Sequence, residues 1–243
     1  ELDIYIELYK RGEYESIPLG QFHDGTYFYP TKKQVEALKL LNNKETSFVG
    51  YGGSARSGKT IIECTAIIFD CLAYDGIAWG LARKELTTLK RTVLITLFNQ
   101  FEFYGITSND YNYNQQLNRI DFKNLSTVFL IDTAYKPSDP LNTRFGGFEL
   151  TKCAIDESNE TNEDIVIKLY ERTGWRKNDT YGIKRKVFEC FNPAKNHVYR
   201  RYYIPYKEKK QTLYKMFIAA LPSDNPHPSV KEWISDIIKT GNK

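Results

Sequence analysis

The 243-residue sequence predicts an α/β domain with a central, mostly parallel β-sheet flanked by helices, plus small lid segments. Three observations carry this prediction. Short apolar runs of strand character alternate with longer stretches of helical periodicity. A glycine-rich turn lies between one such strand and one such helix. The composition is 41% hydrophobic and 26% charged, with 15 Gly and 9 Pro, which excludes wholesale disorder and fibrous repeats.

The elements follow in order. Leu2, Ile4, Tyr5, Leu8 and Tyr9 recur at helical spacing up to Gly12. A turn-rich stretch with Pro18, Gly20 and Gly25 precedes a helix that starts at Pro30-Thr31 and carries Val35, Leu38 and Leu41 on one face. Ser47 to Tyr51 reads as a strand, Gly52 to Ser57 as a turn and Lys59 to Tyr74 as a buried helix. Ile77 to Ala82 is a second strand, and Leu86 to Phe103 reads as one helix. Gln116 to Phe122 and Thr127 to Ile131 alternate at period two across Lys123-Asn124, the pattern of a hairpin inserted in the sheet or closing its edge. Strands are expected at Leu150 to Ile155, Lys186 to Phe191 and Leu213 to Ala219, with helices at Glu163 to Arg172 and Ser229 to Ile238.

Cys64, Cys71, Cys153 and Cys190 form no C-x-x-C pair and sit in apolar stretches, as reduced core thiols do in a cytosolic protein. The three histidines stand at no zinc-ligand spacing. No apolar run reaches the ~20 residues of a membrane span, and no signal-peptide pattern is read at the start. The first residue is Glu1, so a fragment of a longer protein is expected.

Gly53-Ser54-Ala55-Arg56-Ser57-Gly58-Lys59-Thr60 matches G-x-x-x-x-G-K-[ST] in full, between a strand and a helix. Glycines let consecutive N–H groups curl inward as an anion nest, and the helix N-terminus adds positive potential. Lys59 is expected to reach the β- and γ-phosphates of a triphosphate, and the Thr60 hydroxyl to ligate Mg²⁺. A second metal partner should end an apolar strand as a carboxylate. Asp132 and Asp156 both end such strands, but only Asp156 is followed by a second acid. Asp156 is therefore expected to hold magnesium, and Glu157 to orient or deprotonate the attacking water. That pair suits the branch of P-loop proteins that hydrolyses and moves, rather than kinases whose acceptor supplies its own hydroxyl. Asn192, which ends the strand Val187 to Phe191, can report phosphate loss or merely form an Asn-Pro turn.

These elements in this order resemble the ATPase domain of the large terminase subunit of tailed double-stranded DNA bacteriophages. The resemblance covers roughly residues 27–235 and is carried by G-G-S-A-R-S-G-K-T at 52–60, the Asp156-Glu157 strand end and Phe191-Asn192-Pro193. It implies an ASCE-type P-loop ATPase that drives viral DNA into a procapsid. It also implies a homo-oligomeric ring, usually pentameric, that works with a portal protein and a small terminase subunit in the host cytoplasm. Pro30 and Gln34 resemble the adenine-reading segment, with Tyr29 as the stacking aromatic. Arg56 resembles the arginine found in this loop in many terminases. Arg144 resembles the arginine that acts on a neighbour's ATP, with Arg83 as a further candidate. Asn192 takes the coupling role. Residues 1–205 are expected to form the ATPase core and 206–243 a lid or connector, with no room for a nuclease domain.

Between Arg172 and Lys215 stand thirteen Lys or Arg and three acids, interleaved with tyrosines. This excess fits sequence-independent contact with a double-stranded DNA backbone, or a solvated face or subunit contact. A helicase or other translocating ATPase shares the same catalytic residues, but the further motifs and second domain of helicases are not found. A nucleotide-gated scaffold is disfavoured by the intact Lys59, Thr60, Asp156 and Glu157.

Overall fold

The computed structural model describes residues 1–225 and 227–241. Pro226, the last residue of an Asp224-Asn225-Pro226 segment that resembles the family's closing stretch, lies outside them.

Helix α1 (Leu2–Arg11) ends where Gly12 adopts a left-handed φ of 77° and donates to the Leu8 and Tyr9 carbonyls. The turn-rich stretch that follows holds a small hairpin, β1 (Gly20–Gln21) and β2 (Tyr27–Phe28). Helix α2 (Lys32–Asn42) starts with a capping box in which the Thr31 and Gln34 side chains each satisfy the other's backbone N–H. Strand β3 (Phe48–Gly52) leads through the glycine-rich turn into α3 (Lys59–Ala73). Then come β4 (Ala78–Arg83), α4 (Leu86–Arg91), α5 (Val93–Phe103), β5 (Tyr111–Asn114), β6 (Arg119–Phe122) and β7 (Thr127–Asp132). The rest comprises β8 (Lys152–Ile155), α6 (Glu163–Glu171), α7 (Asn178–Tyr181), β9 (Lys186–Phe191), a π-helix (Tyr199–Tyr203), α8 (Ile204–Lys207), β10 (Lys215–Ala219) and α9 (Pro228–Lys239).

Among the described residues one eight-stranded sheet forms, in the order β10-β3-β9-β8-β4-β7-β6-β5. The strands from β10 to β7 are parallel, and β6 and β5 close one edge antiparallel. Parallel strands buried on both faces must read as continuous apolar runs, which is what β3, β8 and β9 show. One face packs on α1, α2, α3 and α5 through Ile62, Ile67, Phe69, Trp79 and Phe188. The other packs on α6 and the π-helix through Phe145, Ile165, Leu169, Tyr202 and Phe217. A buried Lys152–Asp70 pair, 2.7 Å long, also takes hydrogen bonds from Tyr9 and Trp79 to Asp70, and so pins α1 to the sheet. Such a pair is tolerable in the interior because each carboxylate oxygen has a donor. All four cysteines are buried and unpaired in disulfides. Among the described residues no helix is long and apolar enough to cross a membrane.

Two expectations need correction, and one strand was not expected. The helix read over Leu86 to Phe103 is two, because Thr92 breaks it at φ −123°, ψ −76°. The Thr92 hydroxyl donates to the Thr88 carbonyl and accepts from Arg83, so a side chain competes with the helix ladder. The expected hairpin is there, but β7 is no insertion: it pairs in parallel with β4 on its other side. The outermost strand is β5, whose Tyr111 and Tyr113 pack on Phe98 of α5. The strand expected over Leu213 to Ala219 is β10, which extends the sheet beside β3.

Candidate active site

The turn between β3 and α3 has the conformation that its glycines require. Gly58 sits at φ 79°, and a Cβ on Gly53 would collide with the Ala220 carbonyl oxygen. Arg56 is also left-handed, at φ 65°. Lys59 is buried at the first position of α3, and its ammonium donates to the Gly53 and Ser54 carbonyls at 3.0 Å each. The loop thus wraps its own lysine. The Ser57 hydroxyl points inward, buried and without a partner. An ammonium and an orphaned hydroxyl at a helix N-terminus fit a phosphate group.

The order β3-β9-β8 decides what meets at the head of the sheet. Strand β9 lies between the strand that ends in the loop and the strand that ends in the acid pair, which brings Asn192 between them. The Asn192 amide oxygen accepts from Lys59 at 3.0 Å. Its nitrogen donates to both Glu157 oxygens, at 2.9 and 2.8 Å. Lys59, Asn192 and Glu157 therefore form one chain of contacts across three strands. Glu157 stands at φ 48°, a left-handed conformation uncommon for a side chain of its kind. Burial, and then the neighbouring Asp156, push its carboxyl above the usual range.

Asp156 is buried and bound by the Arg83 guanidinium at 2.6 Å. Burial raises its pKa, and Arg83 and Lys59 oppose that rise. Arg83 thus pairs with an acid of its own chain, as Arg144 does with Asp139. Thr60 and Asp156 supply the hydroxyl and carboxylate that suit Mg²⁺. Glu63, one turn along α3, is fully buried with neither carboxylate oxygen paired, and burial together with Asp156 drives its pKa well up.

The loop opens on a cleft of about 710 Å³ lined by Gln34, Lys59, Thr60, Glu157 and Asn192. Gln34 lies in this wall, but its amide is engaged: the oxygen accepts from Thr31 N–H, and the nitrogen donates to the Gly58 carbonyl at 3.1 Å. Pro30 is absent from the lining, and Tyr29 is present. The aromatic wall also includes Phe22 and Phe28, on and beside the β1–β2 hairpin, which sequence reading missed. The signal was faint, since each strand of that hairpin has only two residues. Arg56 also lines the cleft and reaches across to α9, with its guanidinium 5.0 Å from the Trp233 ring centroid and 3.3 Å from the Ser229 carbonyl. Arg144 is held in its own loop by Asp139 at 3.1 Å and by the Ala134 carbonyl at 2.7 Å, against the Phe145 ring. It lines a separate pocket of about 450 Å³ with Arg119 and Arg176, which shares no residue with the cleft.

The basic stretch divides. Lys186 and Arg201 turn inward, Lys186 onto Asn43 and Thr46 and Arg201 onto Glu163 and Glu189. Lys184, Arg185, Lys195, Arg200 and Lys207 stay exposed. Glu189 itself is fully buried. Burial alone would raise its carboxyl, but the nearby His197, the Arg201 guanidinium and the Ser158 and Tyr202 hydroxyls hold it at about 2. A depressed carboxyl contributes stability that is complete above the unfolded value near 4.5 and is lost as pH falls toward 2. Acid denaturation should show a loss on the order of 3 kcal/mol across that window, and Glu189→Gln should flatten it. An identical slope in the variant would refute the assignment.

Strand order, phosphate loop and acid pair together define the P-loop NTPase fold, in its ASCE form. Solved large terminases share it. A large terminase from a thermophilic bacteriophage in complex with ADP superposes with TM-score 0.64 at 20% identity, covering 86% of this chain and 50% of that one. The ATPase domain of the Thermus phage P74-26 large terminase gives 0.59 at 13% identity, covering 86% and 88%. The HK97 bacteriophage large terminase gives 0.62 at 10% identity, covering 87% and 43%. The chain thus spans about half the length of the longer terminases it matches. No protein-family model and no curated protein sequence matches it.

Proposed function

We propose that this chain is an ATP-hydrolysing motor domain of the large-terminase type, which moves double-stranded viral DNA into a procapsid. The observation that carries the reading is the Asn192 bridge, which joins the phosphate-loop lysine to the acid that would activate water. The fold shared with terminases, one of them holding ADP, supports the nucleotide and the motor class.

The residues divide the work as follows. The inward N–H groups of Gly53 to Thr60 and the Lys59 ammonium bind the phosphates of ATP. Thr60 and Asp156 would hold Mg²⁺, which supplies positive charge to the phosphate oxygens when bound. Lys59 leaves the Gly53 and Ser54 carbonyls for the phosphates, and Asn192 then loses its lysine partner. Glu157, still held by the other end of that amide, orients the water and takes its proton. Its raised pKa makes it a better base than an exposed glutamate. Gln34 reads adenine after releasing Gly58, and the Tyr29 wall stacks on the base. Arg56 and α9 act as the lid, and residues 1–205 with β10 as the core.

Arg144 acts on a neighbour's ATP in a ring. Its placement in a pocket apart from its own cleft supports action in trans. The exposed lysines and arginines between Arg176 and Lys210 grip the DNA backbone. A portal protein and a small terminase subunit are the partners this reading implies, and the host cytoplasm is the compartment.

The test is phosphate release from the isolated chain as protein concentration rises, with and without double-stranded DNA. The rate per chain should climb with concentration and with DNA. A rate per chain that is constant at every dilution removes the trans arginine. ATP binding with no hydrolysis under any condition removes the motor.

A further inference from the structure

The acid pair is held from behind by a buried carboxylate that the chemistry above does not use. Glu189, in the middle of β9, is wholly enclosed, and its donors come from two places, the turn after the acid pair and the π-helix. Its Oε2 accepts from the Ser158 hydroxyl at 2.5 Å. Its Oε1 accepts from Arg201 at 3.0 Å and from the Tyr202 hydroxyl at 2.6 Å. His197 lies 3.8 Å from Oε2, and Arg201 also reaches Glu163 of α6 at 3.1 Å.

Two geometric facts give this cluster meaning. Ser158 follows Glu157 directly, and Glu157 occupies a left-handed backbone conformation that costs energy and must be held by its surroundings. Strand β9 and the Asn192 that follows it supply that hold at three points: Glu189 on Ser158, the Asn192 N–H on the Asn159 side chain, and the Asn192 amide on Glu157. Arg201 and Tyr202 are consecutive, and consecutive residues of an α-helix do not share a face. Here both reach the same oxygen, in the stretch wound as a π-helix, a form associated with functional sites.

We infer that Glu189 is a positioning residue: through Ser158 it fixes the turn that carries Glu157, and through Arg201 and Tyr202 it ties that turn to the π-helix of the basic, tyrosine-rich segment. The inference rests on Glu157 as the group that activates water. Its consequence is mechanical. A push on the exposed face of that segment, at Arg200 or Tyr203, reaches the catalytic turn through two hydrogen bonds and one strand. Buried networks of this kind act as units, so loss of one member shifts the others.

The test uses the whole chain and compares Glu189→Gln, Ser158→Ala, Ser158→Thr and Tyr202→Phe. Glu189→Gln keeps shape and removes charge, so kcat should fall by ~10- to 100-fold while KM for ATP stays within about twofold, as expected when a catalytic group is displaced by a fraction of an ångström. Ser158→Ala should lower kcat less and in the same way, Ser158→Thr should restore it, and Tyr202→Phe should resemble Ser158→Ala. Should Glu189→Gln fail to fold, the Ser158 and Tyr202 variants carry the test alone. Ser158→Ala and Tyr202→Phe proteins with the parent's kcat overturn the inference, as does a Ser158→Thr protein no better than Ser158→Ala. A parent chain that binds ATP without hydrolysing it sinks the proposed function instead, so the two failures are distinct.

Discussion

A Glu157→Gln protein is expected to bind ATP as tightly as the parent and to hydrolyse it ~10²–10⁴-fold more slowly, the range that general-base catalysis contributes. The substitution keeps volume and leaves the Asn192 amide a hydrogen-bonding partner, since one Glu157 oxygen survives as an acceptor. What it removes is the capacity to take a proton. Burial and Asp156 raise the pKa of Glu157, so the parent's activity should also fall on the acid side at a higher pH than an exposed glutamate would dictate. The glutamine protein should lose that acid limb. Single-turnover hydrolysis, with binding followed by a fluorescent ATP analogue, separates the two effects. Equal turnover in parent and variant would remove Glu157 from the chemistry and leave a nucleotide-gated scaffold as the better reading.

Lys59→Ala should act earlier in the cycle. The Lys59 ammonium makes three contacts at 3.0 Å, two to the loop's own carbonyls and one to Asn192. A triphosphate replaces those acceptors with charged oxygens, and hydrogen bonds to charged groups contribute ~1.5–3 kcal/mol each. Loss of the lysine should therefore weaken ATP binding by roughly 10- to 100-fold and abolish turnover. It also leaves the Asn192 oxygen without its donor, so its effect and that of Asn192→Ala should not add. Titration of the two single variants and the double variant checks this. Additive losses would show that Lys59 and Asn192 act independently, and would break the link on which the proposed function stands.

Legibility in the sequence followed the range of the forces involved. The phosphate loop could be read because the constraint is local: glycine at 53 and 58 and a lysine at the helix start are needed within eight residues. Asp156 and Glu157 could be read because an apolar strand announces its own end. The break at Thr92 could not, since it depends on the Arg83 side chain folding back from the end of β4. Neither could the engagement of Gln34 by Gly58, nor the pairing of Arg83 with Asp156, because each needs a partner distant in the chain. The basic stretch misled in part for the same reason: composition cannot tell Arg200, which faces outward, from Arg201, which faces Glu189.

By itself, then, the sequence determined the α/β class, the glycine-rich turn between a strand and a helix, and the two acids that follow an apolar strand, all properties of contiguous residues and their periodicity. Only the tertiary structure decided that β9 lies between the cradle strand and the acid strand, and hence that one amide touches both Lys59 and Glu157. Strand order is set by the packing of helices on two faces of a sheet, through contacts between residues far apart in the chain, and such contacts leave no periodic trace along it.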